Sequence, residues 1–319
     1  MQTIINELLA AAIAQRASDV YILPQAKTYQ IRLRHATGLV AWRTLPFVRG
    51  QQVISYFKFH ANMTVSESRR PQVGAMTWPG DVPIELRFST VGDFANRESL
   101  VLRLIYPYAL TASAYLVPAQ ERQLQQVASR RGLVLLAGPT GAGKTTTLYN
   151  IASQLSETAV VLTVEDPVEI KEPRFMQLQV NPAAGMTYEA LIKVGLRHRP
   201  DVFIVGEIRD AATAQAAIRA ALSGHLVLST VHAQHAAGAI SRLQDLGVAN
   251  QQLRQVLTAS CYQRLLPRLA GGPAVLLDLL HGEQLWTTTQ MTERWQQNLD
   301  EAVRTHQIST ATAQQFQFG

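Results

Sequence analysis

The residues able to do chemistry lie between positions 138 and 232. Gly138, Pro139, Thr140, Gly141, Ala142, Gly143, Lys144, Thr145 and Thr146 fit the pattern G-x-x-x-x-G-K-[ST]. An apolar stretch of strand length, residues 133–137, precedes them, and residues 146–155 read as a helix. Strand, glycine-rich loop and helix start form the context in which this pattern cradles phosphates. The glycines let backbone N–H groups close on an anion, and the helix N-terminus adds partial positive charge. Lys144 is then expected on the terminal phosphates of a nucleoside triphosphate, with the Thr145 hydroxyl on Mg²⁺.

Three further apolar runs, 160–164, 202–205 and 226–229, each end in polar chemistry. The first leads into Glu165, Asp166 and Pro167; the second into Gly206, Glu207, Ile208, Arg209 and Asp210; the third through Thr230 to His232. Triphosphate hydrolysis needs a metal, a positioned water and cationic support. One glutamate should organise Mg²⁺ and its waters while the other orients the attacking water. The residues leave the assignment open; Glu165 as base, with Glu207 and Thr145 on the metal side, is the preferred arrangement. His232 is a candidate γ-phosphate sensor. His225 reads as structural, and Arg209 and Asp210 are expected to pair locally.

Such near-continuous apolar runs belong to a parallel sheet covered on both faces. In such sheets the strands' carboxyl ends carry the ligand site, which would gather all these residues on one rim. The fold class is therefore α/β. Residues 1–106 read as a smaller α/β module with an amphipathic first helix and antiparallel strands. Residues 107–118 read as a linker and 119–270 as the nucleotide-binding core. The stretch from 238 onward reads as mostly helical, with 271–319 as a helical C-terminal segment. The first module offers Arg87, Arg97 and Arg103 around one strand-turn-strand. In a ring of subunits these could reach a neighbour's γ-phosphate as arginine fingers.

Composition sets bounds. With 47% hydrophobic and 16% charged residues among 319, the chain can build two cores. The single cysteine, Cys261, excludes an intramolecular disulfide and any multi-cysteine zinc site. The net charge of +6 is scattered, which suits a solvated basic surface rather than a dedicated nucleic-acid groove. No basic loop with interleaved aromatics marks a strand-binding path, as a helicase-like motor would need. A nucleotide-dependent scaffold would not need Lys144, Glu165 and Glu207 together, and no acceptor-site pattern suggests a small-molecule phosphotransferase.

The ordered set of motifs resembles the secretion and type IV pilus assembly ATPases. It begins with Ser18, Asp19, Val20 and Tyr21, then Ile31, Arg32, Leu33 and Arg34, and continues through the phosphate loop and the 164–169 and 206–210 segments. Leu196 to Asp201, the histidine-containing stretch Ser223 to His232, and Gln263, Arg264 and Leu265 complete it. The resemblance implies an N-terminal PAS-like domain, a RecA-like core, ATP with Mg²⁺, and a homohexameric ring. It also implies work at the cytoplasmic face of the membrane on a polytopic membrane platform protein, and through it on pilin-like subunits, without direct nucleic-acid contact. Relatives' four-cysteine zinc motif, additional N-terminal domains and C-terminal retraction motif are missing here, so no zinc is expected. A short chain of this kind looks most like the competence-pseudopilus ATPases of Gram-positive bacteria, with DNA uptake as the implied process; nucleic-acid-dependent and pilus-retraction motors are the alternatives. Tyr21 stands where relatives often have His.

Overall fold

The computed structural model describes residues 2–35, 38–80, 83–106 and 114–319. The chain divides into two compact units, Met1–Leu110 and Thr111–Gly319. Residues 107–113, most of the expected linker, lie outside the described residues.

The first unit holds α1 (Gln2–Ala14), β1 (Asp19–Pro24), β2 (Thr28–His35), β3 (Gly38–Pro46), α2 (Phe47–His60), β4 (Gln72–Trp78), β5 (Ile84–Gly92) and β6 (Glu98–Ile105). Its six strands form an antiparallel sheet in the order β3-β2-β1-β6-β5-β4. Burial alternates along β2 and β5, so the sheet buries one face, as antiparallel sheets can. Ile5, Leu8, Leu9 and Ala12 of α1 and Val53, Ile54 and Phe57 of α2 join the core against that face. Each large apolar side chain removed from water there contributes about 1.5–3 kcal/mol. Beneath α2, the fully buried Lys58 ammonium pairs with Glu98 at 2.6 Å and donates to the Glu67 carbonyl, so the buried charge is compensated.

The second unit begins with β7 (Ala114–Tyr115), α3 (Pro118–Ala128), β8 (Gly132–Ala137), α4 (Lys144–Leu155), β9 (Val161–Glu165) and β10 (Met176–Gln179). It continues with α5 (Tyr188–Gly195), β11 (Val202–Val205), α6 (Ala211–Leu222), β12 (Leu226–Val231), α7 (Ala236–Asp245) and α8 (Asn250–Val256). The last elements are β13 (Leu257–Pro267), β14 (Pro273–His281), α9 (Gln284–Thr287), α10 (Glu293–Arg304) and α11 (Thr310–Gln315). The sheet order is β10-β9-β11-β12-β8-β13-β14-β7. From β10 to β13 all pairings are parallel, and every residue of β8, β9, β11 and β12 is buried. Covered on both faces, these strands carry no polar alternation, which explains their continuous apolar sequence.

The stretch after 238 departs from the mostly helical expectation. β13 and β14 form an antiparallel hairpin, closed by a loop in which Gly271 and Gly272 both take positive φ. A continuous apolar run, Ala274 to Leu277, has no period by which periodicity alone separates strand from helix; the adjacent glycine pair was the usable signal. The helices that follow belong to the core: Trp295 of α10 is buried and donates its indole N–H to the Phe316 carbonyl at 2.8 Å. Among the described residues no helix is long and apolar enough to cross a membrane.

Candidate active site

The parallel strands end in register. Val164, Val205, Ser229 and Leu135 share one rung across β9, β11, β12 and β8. One residue beyond it on β9 is Glu165, two beyond on β11 is Glu207, and three beyond on β8 and β12 are Gly138 and His232. The rim expected from sequence is thus assembled by strand register. Two hydroxyls of β12 stiffen it: Ser229 Oγ donates to the Val205 carbonyl at 2.6 Å and Thr230 Oγ1 to the Gly206 carbonyl at 2.8 Å.

The phosphate loop is built by positive φ at Gly138, Gly141 and Gly143, and Gly143 opens α4 with no side chain capping the helix start. A Cβ on Gly138 would stand 2.5 Å from the Gln263 carbonyl, so only glycine fits that approach. Gln263 itself is fully buried on β13 and donates Nε2 to the Ala142 carbonyl at 2.6 Å. Sequence reading gave Gln263 no mechanical role, yet it backs the loop from the neighbouring strand. Lys144 is buried; its ammonium donates to the Gly138 and Pro139 carbonyls at 2.8 and 2.9 Å. Burial lowers its pKa, and Glu207 and Glu169 oppose that by attraction. The loop therefore holds a charged donor over a ring of backbone groups, a geometry that receives an anion.

Glu207 is the hinge of the polar rim. Its Oε2 lies 2.7 Å from Arg209 Nη2, and its Oε1 lies 2.9 Å from His232 Nε2. The latter approach is off the hydrogen-bond line, and Glu207 Oε1 is buried without accepting a hydrogen bond from the described residues. Arg209 thus pairs with Glu207 and not with Asp210 as expected. Asp210 instead caps α6, accepting from the Thr213 N–H at 2.8 Å. Loss of that cap in Asp210→Ala should lower stability by about 1 kcal/mol in a denaturant melt, with nucleotide affinity unchanged.

Glu165 is 3% exposed, and burial raises its pKa; the hydrogen bond from Tyr149 opposes the rise. Tyr149 Oη donates to Glu165 Oε1 at 2.5 Å. Tyr188 of α5 also stands at this rim: its hydroxyl lies 3.4 Å from where a Gly206 Cβ would be, and burial raises its pKa. Neither tyrosine is singled out from sequence. His225 sits at the α6–β12 corner with Nδ1 3.1 Å from the Ala220 carbonyl, the structural place expected of it. His235 caps α7 by accepting from the Gly238 N–H.

The three arginines of the first unit do not form one group. Arg87 and Arg103 are direct cross-strand partners on β5 and β6, on the sheet face opposite the core, and Arg103 also pairs with Asp19 at 2.9 Å. Arg97 lies at the hairpin tip, paired with Asp93 at 2.8 Å.

A parallel RecA-like sheet carrying a phosphate loop, with carboxylates at two neighbouring strand tips, defines a P-loop ATPase. The chain belongs to the type II/IV secretion system protein family, whose model matches residues 1–314. It is 38% identical over 315 residues to the competence protein ComGA of Streptococcus pneumoniae, covering 98% of this chain and 97% of that one. It is 36% identical over 298 residues to the type II secretion system protein E of Xanthomonas campestris, covering 92% of this chain and 51% of that one. The fold matches the ATPase DotB of Legionella pneumophila with a TM-score of 0.75 at 20% identity, over 98% of this chain and 95% of that one.

Proposed function

We propose that this ATPase is the motor of a competence pseudopilus: a homohexamer at the cytoplasmic face of the membrane that drives a polytopic platform protein and, through it, pilin-like subunits for DNA uptake. The observation that carries this reading is the match to a competence protein over nearly the whole of both chains. Within each subunit, Glu165 acts as the base on the attacking water. The phosphate loop, Gly138 to Thr146, and the Lys144 ammonium hold the triphosphate.

The site suits Mg²⁺. The buried Glu207 Oε1, without a hydrogen-bond donor among the described residues, is an acceptor that a metal-bound water would satisfy. Thr145 and Glu207 are the residues to hold the ion, and Mg²⁺ would supply charge neutralisation on the β- and γ-phosphates. Among the described residues no cluster of three or more His, Cys, Asp or Glu could cage a metal, so phosphates and waters would complete its shell. His232, beside Glu207, reports the γ-phosphate through that carboxylate. Arg87 and Arg103, adjacent on one rung, are the stronger trans candidates, with Arg97 at the hairpin tip the third.

The test is steady-state ATPase activity of purified protein resolved by oligomer size, with DNA uptake measured in cells carrying Lys144→Ala. Turnover confined to a hexamer and uptake lost with Lys144 are expected. Full activity in the monomer would overturn the ring, and normal uptake in the variant would overturn the competence role.

A further inference from the structure

We propose that Tyr149 is a positioning residue for hydrolysis: its hydroxyl, itself held by Gln177, fixes the Glu165 carboxylate to the helix that carries the phosphate-binding Lys144. This rests on the reading of Glu165 as the base. Tyr149 is fully enclosed, with its ring 5.3 Å from that of Phe175, so the phenol has little freedom to rotate away. The oxygen works in two directions. It donates to Glu165 Oε1 at 2.5 Å and accepts from Gln177 Nε2 at 2.7 Å.

Gln177 of β10 is anchored in turn. Its Nε2 also donates to the Ile170 carbonyl at 2.7 Å, and its Oε1 accepts from the Glu172 N–H at 2.9 Å. A chain of hydrogen bonds therefore runs from the 166–175 loop through Gln177 and Tyr149 to the carboxylate. A donor onto the phenol oxygen polarises its O–H, which strengthens the bond it makes to Glu165. Thr145 and Tyr149 are four residues apart on α4 and share a helix face. Movement of the phosphate-binding turn is thereby transmitted to the base.

The same bond keeps the base usable. Burial favours a protonated Glu165, and the nearby Glu169 carboxylate acts in the same direction, whereas the Tyr149 donor, then the Thr163 hydroxyl and the Glu169 backbone N–H, favour the charged form. Tyr188, facing from α5, is neutral through the working range because burial raises its own pKa. Of the donors that favour the charged carboxylate, Tyr149 acts most strongly, and deletion of its single oxygen removes it.

The experiment is single-turnover ATP hydrolysis against pH in the full-length protein, comparing wild type, Tyr149→Phe, Gln177→Leu and Glu165→Gln, with nucleotide affinity measured on each. Tyr149→Phe is expected to bind nucleotide normally and to hydrolyse it about tenfold more slowly on the alkaline plateau. Its acid limb should move up by about one pH unit, the size of a hydrogen bond to a charged group. Gln177→Leu should shift the limb the same way by less, and it carries the test if the phenylalanine variant misfolds. An unchanged limb and plateau in both, with Glu165→Gln inactive, would overturn the role of Tyr149 alone. Full hydrolysis by Glu165→Gln would overturn the base assignment itself.

Discussion

Lys144→Ala is expected to lower ATP turnover by about 10²–10³-fold, the usual scale for removing one preorganised electrostatic contact to a reacting group. The argument lies in where the ammonium sits. It is almost wholly buried, and the Gly138 and Pro139 carbonyls aim it across the loop. In that water-poor setting a positive charge is worth more to a developing phosphate charge than it would be in solvent. The fold should survive the change. Desolvation disfavours the Lys144 charge in the native state, so deleting it removes a strained group rather than a packing element. The thermal midpoint should therefore stay level or rise while turnover falls, which separates lost chemistry from lost structure. Turnover within tenfold of wild type would mean that this loop does not hold the reacting phosphates.

The rim was legible in the sequence for a physical reason. Strands buried on both faces must be largely apolar, and the Ser229 and Thr230 hydroxyls of β12 are turned onto the backbone, so β8, β9, β11 and β12 stand out and the polar residues beyond each run lie at the rim. The edge strands β3 and β4 gave no such signal. They are partly exposed along nearly their whole length, so their apolar residues (Leu39 to Trp42 in β3) do not form the fully enclosed run that marks a central strand. The partner of Arg209 was equally out of reach. Glu207 and Asp210 are both near it along the chain, and the backbone turn into α6, which commits Asp210 to the helix cap, decides between them. Tyr149 shows the remaining limit. A tyrosine on an amphipathic helix reads as packing, and only the three-dimensional approach of β9 and β10 turns its hydroxyl toward Glu165 and Gln177.

Glu165→Gln should lower turnover by about 10²–10⁴-fold, the range for losing a general base, and should make the protein more heat-stable at neutral pH. Both effects come from one cause. Burial raises the Glu165 pKa in the folded chain above its unfolded value, so the folded chain favours the protonated carboxyl more than the unfolded chain does. A raised acid contributes its full stability below the unfolded pKa and loses that contribution as pH rises through the folded value. An ionised carboxylate in this enclosure is therefore a strain on the fold, and the proposed role of Glu165 as base is what requires that charge. Glutamine keeps the shape and can accept the Tyr149 hydrogen bond without the charge. Its thermal midpoint should exceed wild type at neutral pH by about 2–4 °C per kcal/mol relieved in a chain with domains of this size. The gain should vanish below about pH 4, where the wild-type side chain is protonated in both states. A variant less stable than wild type at neutral pH would show that the carboxylate's hydrogen bonds outweigh its desolvation. A variant that is both more stable and inactive would place Glu165 among the groups that stability yields to function.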